Sequence, residues 1–195
     1  MFEIVVLVSG AGSNLQAIIE AINSQQLPIK IIAVIADRSC LALERAQKYN
    51  LPTYLIERKI AGADLSTQIM QYIPDSCQLI VLAGFLSILD QKFIAKYPRQ
   101  IINLHPSLLP KYGGKGMWGK HVHQAVLVAK ETISGCSVHY VSEQIDAGEI
   151  IIQESVVVEI DETVNSLATK IAQLEHKLII QAIQQILQET IRSCN

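Results

Sequence analysis

Four times in succession a short apolar run gives way to an amphipathic stretch of helical period: EIVVLVSG to SNLQAIIEAINS, IKIIAVIAD to LALERAQKYN, TYLI to DLSTQIMQYI, and QLIVLAG to ILDQKFIAKY. A further run, QIINLHP, follows. A strand that rejoins its sheet through a helix runs parallel to its predecessor, and such crossovers are almost always right-handed. The runs are dense in Ile, Val and Leu, as strands covered on both faces require. Half the residues are hydrophobic and 17% are charged, which excludes a disordered chain.

Beyond Trp118 the pattern changes. A short helix is expected from about His121 to Ala129, then two strands, GCSVHYVS and IIIQESVVVEI, flanking the turn IDAGE, and a long closing helix from about Thr163 to Ile191. The expected fold is α/β: a Rossmann-like, mostly parallel sheet with helices on both faces, extended by strands near the C-terminus and closed by a long C-terminal helix. At 195 residues the chain fits one domain, residues 1-195.

The formal charge of -2 gives no reason to expect a nucleic acid partner, and the basic residues are dispersed apart from Lys111, Lys115 and Lys120. The N-terminal MFEIVVLVSG has no basic leader and soon meets Gly10, Gly12 and Asn14, so it reads as a first strand rather than a signal peptide. No run is long and apolar enough for a bilayer, so no membrane partner and a cytoplasmic location are expected. Cys40, Cys77, Cys136 and Cys194 show no CxxC and no His at metal spacing. They read as reduced thiols, three of them in or near the core, and no metal is expected.

Ligands of parallel sheets collect at the carboxyl ends of the strands, where loops meet helix N-termini with unpaired N–H groups. SGAGSNLQAII occupies such an end. Gly10 and Gly12 allow a tight turn and close approach, while Ser13 and Asn14 fall where a helix offers free donors and its positive dipole end. The loop lacks the third glycine of GxGxxG, replaced by Leu15, and the GK[ST] of a P-loop. It suits a phosphomonoester; an ordinary turn and helix cap is equally open.

In QIINLHP the alternation of a strand points Asn103 and His105 to one face near its carboxyl end. Asn is disfavoured in strands and Pro106 ends the ladder, so local propensity does not account for the pair. Together they suit attack on a carbonyl, with Asn donating to an oxyanion and His transferring a proton if a nearby carboxylate favours its imidazolium. Asp146 in the glycine turn SEQIDAGEII is the candidate carboxylate, though turn aspartates are often only turn formers. On the last helix an apolar stripe runs through Val164, Leu167, Ala168, Ile171, Leu178, Ala182, Ile183 and Ile186. Glu175 interrupts it. A charge there needs a partner or a cavity, and either sugar hydroxyls or a structural ion pair would serve.

Taken in order, VLVSGAGSNLQAII, LAGFLSIL, IINLHPSLLPKYGGKGMWG with VHQAV, SVHYVSEQIDAGEII and LEHKL closely resemble the folate-dependent phosphoribosylglycinamide formyltransferases of purine biosynthesis, from Val5 to about Leu187. The resemblance implies formyl transfer from 10-formyltetrahydrofolate, as co-substrate, to the amine of glycinamide ribonucleotide, without a metal. It implies that Gly12, Ser13 and Asn14 hold the ribonucleotide phosphate and that Glu175 contacts its ribose. Leu86, Ser87, Ile88 and Leu89, together with Asn103 and the turn of Ser142, Glu143, Gln144, Ile145 and Asp146, would hold the folate. Asn103, His105 and Asp146 would be catalytic, with Asp146 holding up the pKa of His105. The partners implied are small molecules, and a homodimer is left open.

The sequence departs from the pattern at Ser87, where many relatives have Arg, and on the last helix at Lys170 and at Ile179-Ile180. Gly113, Gly114, Gly116 and Gly119 suit a loop that closes and excludes water, with Lys111, Lys115 and Lys120 drawing in anions or simply solvated. His121 and His123 read as helix-surface residues, and Trp118 as a loop anchor. Competing readings are another folate-dependent formyl transfer, hydrolysis of 10-formyltetrahydrofolate, or a nucleotide-binding module without catalysis.

Overall fold

Each expected apolar run becomes a strand. In the computed structural model, which describes residues 1–193, these are β1 (Phe2–Val8), β2 (Ile29–Ala36), β3 (Thr53–Leu55), β4 (Leu79–Leu82), β5 (Ile101–His105), β6 (Ile133–Tyr140) and β7 (Ile150–Val157). The helices are α1 (Ser13–Asn23), α2 (Leu41–Lys48), α3 (Arg58–Ala61), α4 (Leu65–Met70), α5 (Gln91–Lys96), α6 (Lys120–Val128) and α7 (Val164–Ser193). The seven strands lie in the order β3-β2-β1-β4-β5-β6-β7. Pairing is parallel from β3 to β5, and antiparallel between β6 and β7. The chain divides into two compact units, Met1–Asn103 and Leu104–Asn195. No helix among the described residues is long and apolar enough to cross a membrane.

In the first unit the central strands are buried on both faces, as their unbroken apolar runs require. Val5, Val6, Leu7, Val34, Ile35, Ile80 and Val81 have no exposed surface, and each such side chain contributes about 1.5–3 kcal/mol of burial. Asp90 caps α5 by accepting from the Phe93 N–H at 2.8 Å, worth about 1 kcal/mol. Of DLSTQIMQYI the helical part is Leu65–Met70, α4, shorter than expected and preceded by α3 and a 3₁₀ turn, Gly62–Asp64. Gly62 at φ 56 lies in the left-handed region and stops α3.

In the second unit α7 packs on β6 and β7. Thr163 and Ser166 exchange hydrogen bonds at its start, the Ser166 N–H donating to Thr163 Oγ1 and the Thr163 N–H to Ser166 Oγ, a reciprocal cap that fixes the first turn at Val164. The expected stripe is buried at Leu167, Ile171, Leu178, Ala182, Ile183 and Ile186, joined by Leu174 and Ile179. Val164 and Ala168 are only half-buried because they sit at its edge. Cys136 is buried in β6 and Cys40 and Cys77 are half-buried, all three as free thiols. Burial pushes the Cys77 thiol up to about 11 and Cys136 up as well. Cys194 lies outside the described residues.

Candidate functional site

The glycine loop follows β1. Gly12 sits at φ 74 as the residue before α1, and a Cβ there would stand 2.6 Å from that of Ala42, so both backbone and space call for glycine. Its carbonyl accepts the Gln16 N–H, which winds the first turn, and Arg45 Nε donates to the Ala11 carbonyl at 2.8 Å, fixing the loop from α2. Ser13 is exposed at the first position of α1 and Asn14 is buried beside it. Gly12, as the N-cap residue, makes no side-chain hydrogen bond to this helix end.

The loop after β4 is tied by a buried carboxylate. Asp37, with no exposed side-chain surface, accepts Arg38 Nε and Nη2 at 3.0 and 2.8 Å and Ser87 Oγ at 2.5 Å. Burial pushes Asp37 up, but the hydrogen bonds from Arg38, Ser87 and Ser9 outweigh it and hold the carboxyl below its usual range. Ser9 Oγ in turn accepts the Leu86 N–H at 2.8 Å. The ends of β1, β2 and β4 are thereby laced together, leaving Leu86 and Ile88 exposed and Leu89 buried.

In β5, Asn103 is half-buried and His105, two residues on, is almost fully buried. His105 Nε2 lies 2.8 Å from the Tyr112 carbonyl. A carbonyl can only accept, so Nε2 carries the hydrogen and Nδ1 is a lone pair in the neutral ring. Nδ1 faces Asp146 Oδ2 at 3.4 Å. Asp146 stands at φ 54 in the turn after β6, and its Oδ2 accepts the Gly114 N–H at 2.9 Å. On the other side its Oδ1 is 3.7 Å from Nε2 of His139, a buried residue of β6 whose Nδ1 donates to the Tyr140 carbonyl at 2.9 Å.

Burial pushes the His105 pKa down, and the Asp146 charge and Tyr112 carbonyl recover only part, so it lies below the ordinary histidine value. The carboxylate expected to hold that pKa up is in place and acts in that sense, but desolvation is the larger effect. The 3.4 Å separation agrees, since a charge-assisted pair would close to about 2.7–2.9 Å. Asp146 is pushed up by burial, yet the His139 and His105 rings and the Gly114 N–H leave it below the usual carboxylate range.

The formyl transferase family model matches residues 2–183. The chain belongs to the formyl transferase family. It is 40% identical to a phosphoribosylglycinamide formyltransferase from Coxiella burnetii, over 93% of this chain and 85% of that one, with a TM-score of 0.85. A second solved structure, the phosphoribosylglycinamide formyltransferase of Bacillus halodurans, is 29% identical over 96% of each chain, with a TM-score of 0.89. The trifunctional purine biosynthetic protein adenosine-3 of Bos taurus is 37% identical over 193 residues, covering 97% of this chain and 19% of that protein. The chain thus spans about a fifth of the length of the first curated relatives it matches.

Within this chain the second unit brings His105 and Asp146 together, from the end of β5 and the turn after β6, and carries Glu175 half-buried on α7, close enough to Cys136 to raise its thiol further. Lys111 is engaged by Glu131 at 2.9 Å and Lys120 by Asn165 Oδ1 at 3.1 Å. Trp118 is half-exposed and meets His121 edge-on, with ring centroids 4.6 Å apart. His121 is exposed as expected. His123 is instead buried, because it lies on the inner face of α6 with Val122 and Val126. Three contributors escaped the sequence reading: His139, the Gly114 N–H and the Tyr112 carbonyl. Only His139 carried a signal, a polar residue near the carboxyl end of an otherwise buried strand, the same signal that marks His105.

Proposed function

We propose that this chain transfers the formyl group of 10-formyltetrahydrofolate to the amine of glycinamide ribonucleotide, a step of purine biosynthesis in the cytoplasm, as one formyltransferase domain. The observation that carries the reading is the His105–Asp146 pair at 3.4 Å, between a strand end and a glycine turn, in a chain of this family. Gly12, Ser13 and Asn14 take the ribonucleotide phosphate at the start of α1, and Glu175 accepts from its ribose hydroxyls. The exposed Leu86 and Ile88, with Ser87, Leu89 and the turn Ser142 to Asp146, receive the pterin of the folate.

As the amine nitrogen bonds to the formyl carbon, negative charge gathers on the formyl oxygen. Asn103 and His105 Nε2–H donate to it. The Tyr112 carbonyl marks where an acceptor oxygen sits, 2.8 Å from Nε2, and a charged oxygen competes for that donor better than a neutral carbonyl. The proton leaving the amine passes to the gap between Asp146 and His105 Nδ1, making the ring an imidazolium and its Nε2–H a stronger donor. The carbon–nitrogen bond to the folate then breaks and that nitrogen takes the proton, so no covalent enzyme intermediate is needed. The test is turnover of purified protein with both substrates: tetrahydrofolate and the formylated ribonucleotide are expected in equal amounts. Tetrahydrofolate released without the ribonucleotide would instead show hydrolysis, and no product of either kind would overturn the reading.

A further inference from the structure

Tyr112 supplies a carbonyl to His105, and it does so from a backbone conformation that a bulky residue rarely adopts, with φ 56 in the left-handed region. Such strain persists only where the surroundings hold the residue in place. Packing is incomplete here, because Lys111 and Tyr112 border a cavity of about 370 Å³ that Leu108, Leu109 and Val126 also line. Hydrogen bonds do the holding. The Lys111 carbonyl accepts Ser107 Oγ at 2.6 Å, and the Lys111 N–H donates to the Leu108 carbonyl at 3.1 Å. At the side chains one carboxylate oxygen serves both residues: Glu131 Oε1 accepts Lys111 Nζ at 2.9 Å and the Tyr112 hydroxyl at 3.0 Å. Glu131 is itself tied to the end of α6, its N–H donating to the Val126 carbonyl at 3.2 Å.

What this tether controls is the place of one hydrogen. The neutral His105 ring can carry it on Nε2, facing the Tyr112 carbonyl at 2.8 Å, or on Nδ1, facing Asp146 Oδ2 at 3.4 Å. An N–H that closes on a carboxylate makes the stronger bond, so Asp146 alone would draw the hydrogen to Nδ1. Nε2 would then be a lone pair unable to donate to the formyl oxygen, and Nδ1 could take no proton from the amine. The Tyr112 carbonyl opposes that exchange while it stays within hydrogen-bond range. We propose that Glu131 is a positioning residue: through Lys111 and the Tyr112 hydroxyl it sets the carbonyl that keeps the resting His105 ring in its Nε2–H form. Its charge suits the task, since the hydrogen bonds from Lys111 and Tyr112 hold the Glu131 carboxyl below its usual range and it is ionised at neutral pH.

The inference rests on the proposed formyl transfer, but its test separates the two. The full chain with ¹⁵N-labelled histidines is compared with its variants at about pH 8, where the His105 ring is neutral. In the unmodified protein His105 Nε2 is expected to show the shift of a nitrogen bearing hydrogen, and Nδ1 that of a lone pair. Glu131→Ala should move the two signals toward each other as the hydrogen exchanges between the nitrogens through solvent. The reverse pattern in the unmodified protein, or signals that ignore Glu131→Ala, would overturn the proposal. In turnover Glu131→Ala should lose about tenfold in kcat, the order of one hydrogen bond to a charged group, with both KM values within about twofold. Tyr112→Phe, which keeps ring and backbone but offers Glu131 no hydroxyl, should move the same signals in the same direction, and adding it to Glu131→Ala should cost little more. Glu131→Gln, whose amide oxygen still accepts from Tyr112, should recover part of the loss and guards against a folding defect. A lower melting temperature in Glu131→Ala, with kcat and both ring nitrogens unmoved, marks a merely structural pair and overturns the inference alone. A wild-type chain that transfers no formyl group, but whose His105 nitrogens respond to Glu131→Ala, overturns the functional reading and leaves the positioning by Glu131 standing.

Discussion

Asp146→Asn isolates the charge from the shape. The amide oxygen can still accept the Gly114 N–H that now reaches Oδ2 at 2.9 Å, so the turn should hold and the melting curve should stay close to that of the unmodified protein. What disappears is the charge opposite His105 Nδ1. At the 3.4 Å separation, Coulomb's law with an effective dielectric of about 20 gives an attraction of about 5 kcal/mol once the ring is protonated. In the resting state little of this is expressed, because burial keeps the ring below its ordinary pKa. It is felt when the amine proton arrives and the ring becomes the charged donor to the oxyanion. Relaxation and residual water return part of it, leaving a loss of roughly 3–4 kcal/mol, or 10²–10³ in kcat, the range for removing one oxyanion stabiliser. Steady-state formyl transfer at saturating substrates measures it. The double variant His105→Ala/Asp146→Asn should be little worse than His105→Ala, because the two residues act as a unit. A kcat within about threefold of the original, or losses that multiply in the double variant, would refute the coupling.

Stability should fall on the acid side in two stages. His105 and His123 have pKa values below 6.5 in the fold, so the unfolded chain binds protons first and stability is lost as pH drops from about 6.5 toward their folded values. Asp146 and Asp37, both held below 3.8, add a second loss at lower pH. Urea midpoints between about pH 2 and 8 measure both stages, and a midpoint that rises from pH 7 to 5 would contradict the sign. Gly148→Ala drives a Cβ into the Tyr140 carbonyl oxygen, so it should cost roughly 3 kcal/mol or more in urea unfolding, the upper end for overpacking, and abolish turnover. Arg38→Ala strips the fork from the fully buried Asp37 carboxylate and should destabilise by about 3–5 kcal/mol, whereas Arg38→Ala/Asp37→Asn should recover much of that loss; equal melting temperatures for the two would show the pair to be unimportant.

How much of this could be read from the sequence depended on whether the signal was local. The central strands β1, β2 and β4 were legible because strands largely buried on both faces must be apolar at nearly every position, which leaves an almost unbroken run; the long stripe of α7 was legible for the same reason at helical period. The period of DLSTQIMQYI did give a helix, α4, but the short α3 and the 3₁₀ turn before it, separated at Gly62 with its positive φ, carry no periodic signal. At the site, Asn103 and His105 announced themselves as a polar pair that strand propensity does not explain, whereas Asp146 sits in a turn where Asp is common and was singled out only because such a pair needs a carboxylate. The direction of the His105 pKa did not, because the sequence supplies the carboxylate but not the degree of burial, and burial is the larger effect. The backbone groups of Tyr112 and Gly114 were beyond reach for a different reason: every residue has an N–H and a carbonyl, and only the fold decides which of them meets a charged side chain. The side chains of such a site are visible in a sequence, while the backbone groups and the burial around them are not, and it is the burial that keeps the His105 ring below its ordinary pKa at rest.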